Sequence, residues 1–424
     1  MHVLFVALGS SGDVHPLIGI GLSLRQRGHR VTIVTSVHFE RPVRRAGLEF
    51  VGLGTEEEYQ AITSDPKLFH PIKGTKRVLE YCCVRTARDV YEIIANAYEP
   101  DNTIVISSTL GIGARIAHEK TGVPLITTIL QPMLIRSAYA TPRYNWLPLP
   151  QSTPRILKRA AFRTADRYVD SIVGPETNRF RSELGLNPVR RICDVWWLSP
   201  QLVIGLFPDW FGPPQPDWPA NAMTTGFPMY DDGDDAELPT AARALLEGGD
   251  PPIVFTPGSA MRYGRPFFDA AVDACRALGR RGILLSRFRE HIPPRLPDGV
   301  FHFDYLPLGR VLPRAAAMVH HGGMGTLAQT LRAGVPHLVM PMSIDQPDNA
   351  ARLKALGVAD VLRPGSFRGP AVARKIGRLL EDERVQARCR EMAGRLNGTD
   401  SRRDTCDAIE SFADRTLNAP VAAS

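Results

Sequence analysis

Long apolar runs are missing from this chain. No stretch reaches the roughly 20 residues that carry a helix across a bilayer, so membrane contact, if made, is expected to be peripheral. Cysteine is scarce: the six residues Cys82, Cys83, Cys193, Cys275, Cys389 and Cys406 include no C-x-x-C. No His/Cys cluster has zinc spacing, and free thiols of a cytoplasmic protein are expected. A basic leader with a cleavage site is also missing, since the chain opens on the apolar run His2–Leu8, and secretion is not expected. Charge imbalance is small, at net +7. The basic residues that do cluster are Arg155, Lys158, Arg159, Arg163, Arg167, Arg179, Arg181, Arg190 and Arg191. Their plain reading is a solvated helix face; the sharper one is contact with an anionic membrane surface or an acidic acceptor. No aromatic residues interleave with them in a nucleic-acid-binding motif, so no nucleic-acid partner is expected.

What is present is an ordinary globular composition, 44% hydrophobic and 22% charged, long enough for two domains with separate cores. In the first half, the strands His2–Leu8, Val31–Thr35, Thr103–Ser107 and Pro124–Ile129 alternate with helical segments. Residues 208–235 are crowded with proline and end in Asp231-Asp232-Gly233-Asp234-Asp235, a linker composition. The alternation then restarts at Ile253–Thr256, Gly282–Leu285, Val300–Phe303, Ala317–His320, His337–Met340 and Val358–Leu362. This pattern predicts two doubly wound α/β domains with mostly parallel sheets, facing a cleft. The expected boundaries are an N-terminal domain over 1–207, a linker over 208–250, a C-terminal domain over 251–395 and a helical tail over 396–424 that packs back.

The most informative segment is 319–349, where a strand runs into His320, His321 and the turn Gly322-Gly323-Met324-Gly325-Thr326. Glycines at a strand-to-helix turn let backbone N–H groups approach an anion, which the helix N-terminus also favours. His321 adds a hydrogen bond or a charge. Asp345 and Gln346, after the next strand, offer groups suited to sugar hydroxyls. Ser259 is expected to add a phosphate donor from a neighbouring strand end, and Tyr305 with Leu306 a surface for a base. In the first half, Gly9-Ser10-Ser11-Gly12-Asp13 is not G-x-G-x-x-G, and the next strand ends in Thr35-Ser36 without the acid that holds an NAD ribose. Asp13 reads either as an N-cap or as a general base, with His15 the rival base. Asp232-Gly233-Asp234 spells a metal-binding D-x-D but lies in the linker, so no metal and no cofactor are expected. The stretch Leu130–Leu149, with Met133, Leu134, Ile135, Tyr139, Tyr144, Trp146 and Leu147, reads equally as an acyl pocket or as loop packing.

His320–Asn349 resembles the signature region of glycosyltransferase family 1, the UDP-glycosyltransferase-like enzymes of GT-B fold. Gly9–Pro16 resembles the G-S-x-G-D-V-x-P turn of its bacterial antibiotic and sterol members. Gly113–Lys120, Ser199-Pro-Gln201 and Leu206-Phe-Pro208 through Trp218-Pro219 are similar to the catalytic chain of the rhamnolipid rhamnosyltransferases. The resemblance implies donor diphosphate binding by Ser259, His320, His321, Gly323, Gly325 and Thr326, and base binding by Tyr305 and Leu306. It further implies sugar binding by Asp345 and Gln346, and Asp13 as base. Two departures stand out. Ile106-Ser107-Ser108-Thr109 lacks the aspartate that orients a histidine base in many eukaryotic members, and Gln329 replaces a ribose-binding glutamate, a change that suits a dTDP-sugar.

The expected function is an inverting, metal-independent transfer of a sugar, from dTDP-L-rhamnose, to a hydroxyl of a hydrophobic acceptor such as a 3-hydroxyacyl lipid. The alternative is a UDP-glucose-dependent enzyme acting on a phenolic or sterol-like molecule. A GT-B-fold 2-epimerase and a non-enzymatic nucleotide-sugar binder are the readings from other classes.

Overall fold

Strand β1 (His2–Val6) is buried along its whole length and pairs in parallel on both sides, with β2 (Arg30–Ser36) and β4 (Thr103–Ser108). A parallel sheet is covered by helices on both faces, so its central strands are continuous apolar runs. The Val-Leu-Phe-Val run of β1 is of that kind. With β3 (Glu49–Leu53), β5 (Leu125–Ile129), β6 (Leu202–Gly205) and β7 (Ala222–Thr224) these strands form one sheet in the order β3-β2-β1-β4-β5-β6-β7. A second parallel sheet holds β8 (Ile253–Thr256), β9 (Gly282–Leu285), β10 (Val300–Phe303), β11 (Ala317–His320), β12 (His337–Val339) and β13 (Ala359–Val361), in the order β10-β9-β8-β11-β12-β13. These are features of a computed structural model that describes residues 1–70, 73–144, 149–230, 237–258 and 264–417. The two doubly wound α/β folds expected from the sequence are what the chain adopts.

The chain divides into two units: Met1–Pro142 with 146–228 and Asp400–Ser424, and Arg143–Asn145 with Met229–Thr399. The proline-rich stretch is therefore not one open linker. Ala222–Thr224 adds an edge strand to the first sheet, where flanking prolines are tolerated. Thr240–Glu247 is a helix whose Ala242, Leu245 and Leu246 join the core of the second unit. Residues Asp232 and Asp234 lie outside the described residues.

Helix α1 (Ser11–Gln26) follows β1, and α2 (Arg155–Glu183) follows the long loop after β5. Helices α3 (Met324–Ala333) and α4 (Gln346–Ala355) follow β11 and β12. The last helix, α5 (Ser401–Leu417), starts later than the expected tail, because Glu383–Asn397 is a separate helix of the second unit. Packed within the first unit, α5 meets α1 through Arg27, which pairs with Asp407 and Glu410 at 2.6 Å, and Cys406 approaches the Ile20 carbonyl. All six cysteines are free and buried. No described helix is long and apolar enough to cross a membrane.

Candidate functional site

In an open parallel sheet, loops at the point where strand order reverses diverge and leave a crevice for ligand. In the first sheet that point lies between β1 and β4, where the Gly9–Asp13 turn emerges. Ser10, not Asp13, is the N-cap of α1, which corrects the N-cap reading of the aspartate. Asp13 reaches back one turn: its Oδ2 accepts from the Ser10 N–H at 2.8 Å and from the Ser10 hydroxyl at 3.1 Å. Its Oδ1 accepts from the Gln131 side-chain amide at 3.3 Å, delivered by the loop after β5. Gly9 makes this possible. It sits at φ 130°, and a Cβ there would lie 2.4 Å from Asp13 Oδ2. Burial raises the Asp13 pKa above the usual carboxylate value, while the bonds from Ser10 and Gln131 pull it back. A carboxylate so placed holds its proton more tightly than a solvated one. His15, two residues further along α1, packs its ring edge-on to Phe39 at 6.3 Å. The end of β4, Ser107-Ser108, carries no acid, and the Ser107 hydroxyl donates to the Ser108 carbonyl at 2.9 Å.

In the second sheet the reversal lies between β8 and β11. Gly258 after β8, at φ 99°, and Gly323 after β11 sandwich the His321 imidazole; a Cβ on either would stand 2.8 or 2.4 Å from that ring. His321 Nδ1 is buried without a hydrogen-bond partner. Burial drops the His321 pKa to about 4, so at neutral pH the ring offers a hydrogen bond and not a charge. Gly325, one residue into α3, meets nothing within 4 Å among the described residues. Packing does not require a glycine there, in contrast to Gly322 at φ 97° and Gly323. Thr326 completes the first turn of α3, which has no side-chain cap and leaves backbone N–H groups for an anion.

His320 departs from expectation. It is fully buried and its Nδ1 accepts from the Gly322 N–H at 3.1 Å. That bond places the ring proton on Nε2, which donates to His337 Nδ1 at 3.0 Å. His320 thus braces the loop from below and has no exposed face for a phosphate. Gln346 is also partly committed: its Oε1 accepts from the Met342 N–H at 2.8 Å and the Ser343 N–H at 3.3 Å, leaving only its amide N–H groups for a ligand. Tyr305 is 46% exposed past β10, with the Arg287 guanidinium 6.0 Å from its ring centre. Leu306 beside it is buried in the core, so it supports the tyrosine and does not face a ligand. Ser259 lies outside the described residues.

Three residues of this unit gave no sequence signal of their own. Asn349 Nδ2 donates both to the Gly322 carbonyl at 2.9 Å and to Asp345 Oδ2 at 2.7 Å, tying the glycine loop to the Asp345 loop. Ser343 Oγ and Asn349 Oδ1 are buried without partners, an arrangement that calls for a ligand or water. Ile344, between them, has φ 58° although β-branched, a strain of order 1–3 kcal/mol that such loops carry at functional sites. In the first unit, the Leu130–Leu149 stretch divides. Met133 and Ile135 are core, Tyr139 is exposed, and 145–148 lie outside the described residues. No group of metal-ligating side chains forms among the described residues.

Residues 3–140 match the glycosyltransferase family 28 N-terminal domain, and residues 284–402 match the C-terminal domain of erythromycin biosynthesis protein CIII-like proteins. The chain is 27% identical over 446 residues to O-mycaminosyltylonolide 6-deoxyallosyltransferase of Streptomyces fradiae, covering 99% of both chains. It is 30% identical over 387 residues to vancomycin aglycone glucosyltransferase of Amycolatopsis orientalis, covering 84% of this chain and 85% of the other. The crystal structure of glycosyltransferase VinC in complex with dTDP superposes with a TM-score of 0.68 at 19% identity, over 98% of this chain and 100% of that one.

Proposed function

Since this chain belongs to the GT-B glycosyltransferases, pairing a family 28 N-terminal half with an EryCIII-like C-terminal half, we propose that it transfers a 6-deoxyhexose from a dTDP-sugar to a hydroxyl of a hydrophobic acceptor, with inversion. Asp13 takes the hydroxyl proton while the acceptor oxygen bonds to the anomeric carbon. The bond from that carbon to the diphosphate oxygen breaks, and the diphosphate leaves with the electron pair onto the His321–Thr326 turn. Backbone N–H groups and the His321 ring stabilise the charge that develops there, a task worth roughly 3–4 kcal/mol per well-aimed donor.

The observation that carries this reading is the order of loops along the C-terminal edge of the second sheet. Tyr305 follows β10, His321 follows β11 and Asp345 follows β12. At about 4.8 Å per strand, β10 and β11 stand some 14 Å apart, room for a nucleoside between Tyr305 and the glycine turn. The sugar then falls one strand further on, at Asp345 and the Gln346 amide. Base, diphosphate and sugar read in the order of the loops. Gln329 in place of a glutamate lessens the grip on a ribose 2′-hydroxyl, which supports dTDP over UDP. The 6-deoxyallosyl relative supports a deoxy sugar. L-rhamnose and a 3-hydroxyacyl acceptor, met at a lipid surface, are the specific pair proposed.

The second reading, UDP-glucose with a phenolic acceptor, draws on the glucosyltransferase relative. Incubation of the enzyme with dTDP-rhamnose or UDP-glucose, each with 3-hydroxyacyl and phenolic acceptors, separates the two. A rhamnosylated hydroxyacyl product is expected. Turnover confined to UDP-glucose overturns the donor assignment, and 2-epimer formation without acceptor overturns the transferase assignment for this site.

A further inference from the structure

The 29-residue helix α2 carries Arg155, Arg159, Arg163 and Arg167 at strict four-residue spacing, all exposed. That spacing stacks them along one side of the helix. The two lysine or aspartate charges of the same stretch are withdrawn from the surface: Lys158 is buried and donates to the Ala138 and Gln151 carbonyls, and Asp166 is buried against Arg136. Over Arg155–Tyr168 the exposed charge is therefore entirely positive, and none of the four arginines pairs with a carboxylate among the described residues.

Apolar side chains stand among these charges. Ile156 is 76% exposed and Leu157 57% exposed, with Tyr139 and Tyr168 exposed nearby in the chain. Ile156 is three and seven residues from Arg159 and Arg163, which puts it on the arginine side. Arg155 lies 4.6 Å over the Tyr139 ring. Past Arg167 the helix borders an open groove of about 380 Å³ with Arg190 on its far wall.

We propose that the exposed first turns of α2 dock on an anionic lipid surface, with Ile156 and Leu157 entering the interface and the arginines meeting headgroup phosphates. Charge complementarity selects an anionic partner. The aliphatic pair selects a membrane over a polyanion, because phosphates and sugars give Ile156 and Leu157 nothing apolar to enter, whereas the acyl boundary does. The surface also connects to the acceptor side. The loop that brings Gln131 to Asp13 also carries Tyr139, whose ring lies under the Arg155 guanidinium. A hydrophobic acceptor taken from the bilayer would enter along this loop. Only that last point rests on the transferase reading; the docking surface stands without it.

Sedimentation of the full chain with phosphatidylcholine vesicles, with and without phosphatidylglycerol, tests the proposal. Binding is expected only to the anionic vesicles, weakening as salt rises. Arg159→Gln with Arg163→Gln should lower it about 25-fold, since a basic residue near an anionic surface contributes about 1 kcal/mol, a factor of about five. Ile156→Ser with Leu157→Ser should lower it about tenfold and leave the salt dependence in place. All four residues are exposed, and an unchanged Tm confirms that the variants fold. Equal binding to neutral vesicles, unchanged binding of either variant, or retention by RNA with no vesicle binding overturns the proposal. Titration with dTDP and UDP in the same preparations separates the two readings: vesicle binding without affinity for either nucleotide sinks the transferase assignment and leaves the lipid surface standing.

Discussion

Asp13 and His15 stand two positions apart on α1, and their surroundings differ in kind. Asp13 is held by Ser10 and Gln131 with its pKa raised by burial, whereas the His15 ring stands edge-on to Phe39. Asp13→Asn should reduce kcat by at least about 100-fold, and His15→Asn by far less, in a coupled nucleotide-release assay. The pH dependence follows in sign: the base works ionised, so kcat falls as pH drops through the raised Asp13 pKa, at a higher pH than an ordinary carboxylate would give. The same shift disfavours the folded state once the group ionises, because the unfolded chain holds that proton less tightly. Asp13→Asn should therefore have a Tm at pH 8 no lower than the parent's. Histidines 320, 321 and 337 run the other way. Burial depresses all three, His321 to about 4 and His337 to about 3. Their stabilising contribution is complete above the unfolded histidine value near 6.5. It is lost as pH falls from there toward 4, at about 1.4 kcal/mol per pH unit for each histidine kept neutral. Thermal melts between pH 7.5 and about 5 should show that loss, and His337→Asn should flatten it.

Among the elements, the turn from β11 into α3 holds glycines of two kinds. Gly322 and Gly323 are demanded by the protein itself, through a positive φ and the His321 ring. Gly325 has nothing within 4 Å among the described residues, so packing against them does not require a glycine there. Gly325→Ala should hold or raise Tm, by up to about 1 kcal/mol of helix propensity, while weakening dTDP binding in calorimetry. Equal dTDP affinity would remove the diphosphate from this turn. Asn349 on α4 joins this loop to Asp345, and Asn349→Ala should raise the donor KM more than it lowers kcat. The glycine turn was legible in the sequence because glycine spacing after an apolar strand is a local signal. Asn349, Gln131 and Ser343 were not, since each acts through a partner on another loop. The burial of His320 was equally hidden: two adjacent histidines look alike in sequence, yet His320 is fully buried against His337 while His321 is half-buried between Gly258 and Gly323.

At the scale of the molecule, α5 returns the chain end to the unit where it began. Ile409 and Phe412 are buried in that unit, and their loss from water contact alone amounts to roughly 3–6 kcal/mol. Truncation after Gly398 should lower Tm sharply and expose apolar surface to a hydrophobic dye, even though it removes no residue of either candidate binding loop. The outlying strands β3, β6 and β7 were also settled only at this scale. A three-residue strand between prolines has no periodicity to read, and it forms because β6 offers it a free edge.

The sequence by itself determined the two doubly wound sheets, the reversal-point loops and the residue types that fill them, because apolar runs, glycine turns and helix starts are properties of neighbouring residues. Tertiary structure alone decided which of those residues stay accessible and which are committed to the protein itself. Whether His320 or His321 is accessible, whether Gln346 keeps an oxygen to offer, and what raises Asp13 depend on groups brought together from distant strands, where burial and hydrogen bonding are set by packing and not by order along the chain.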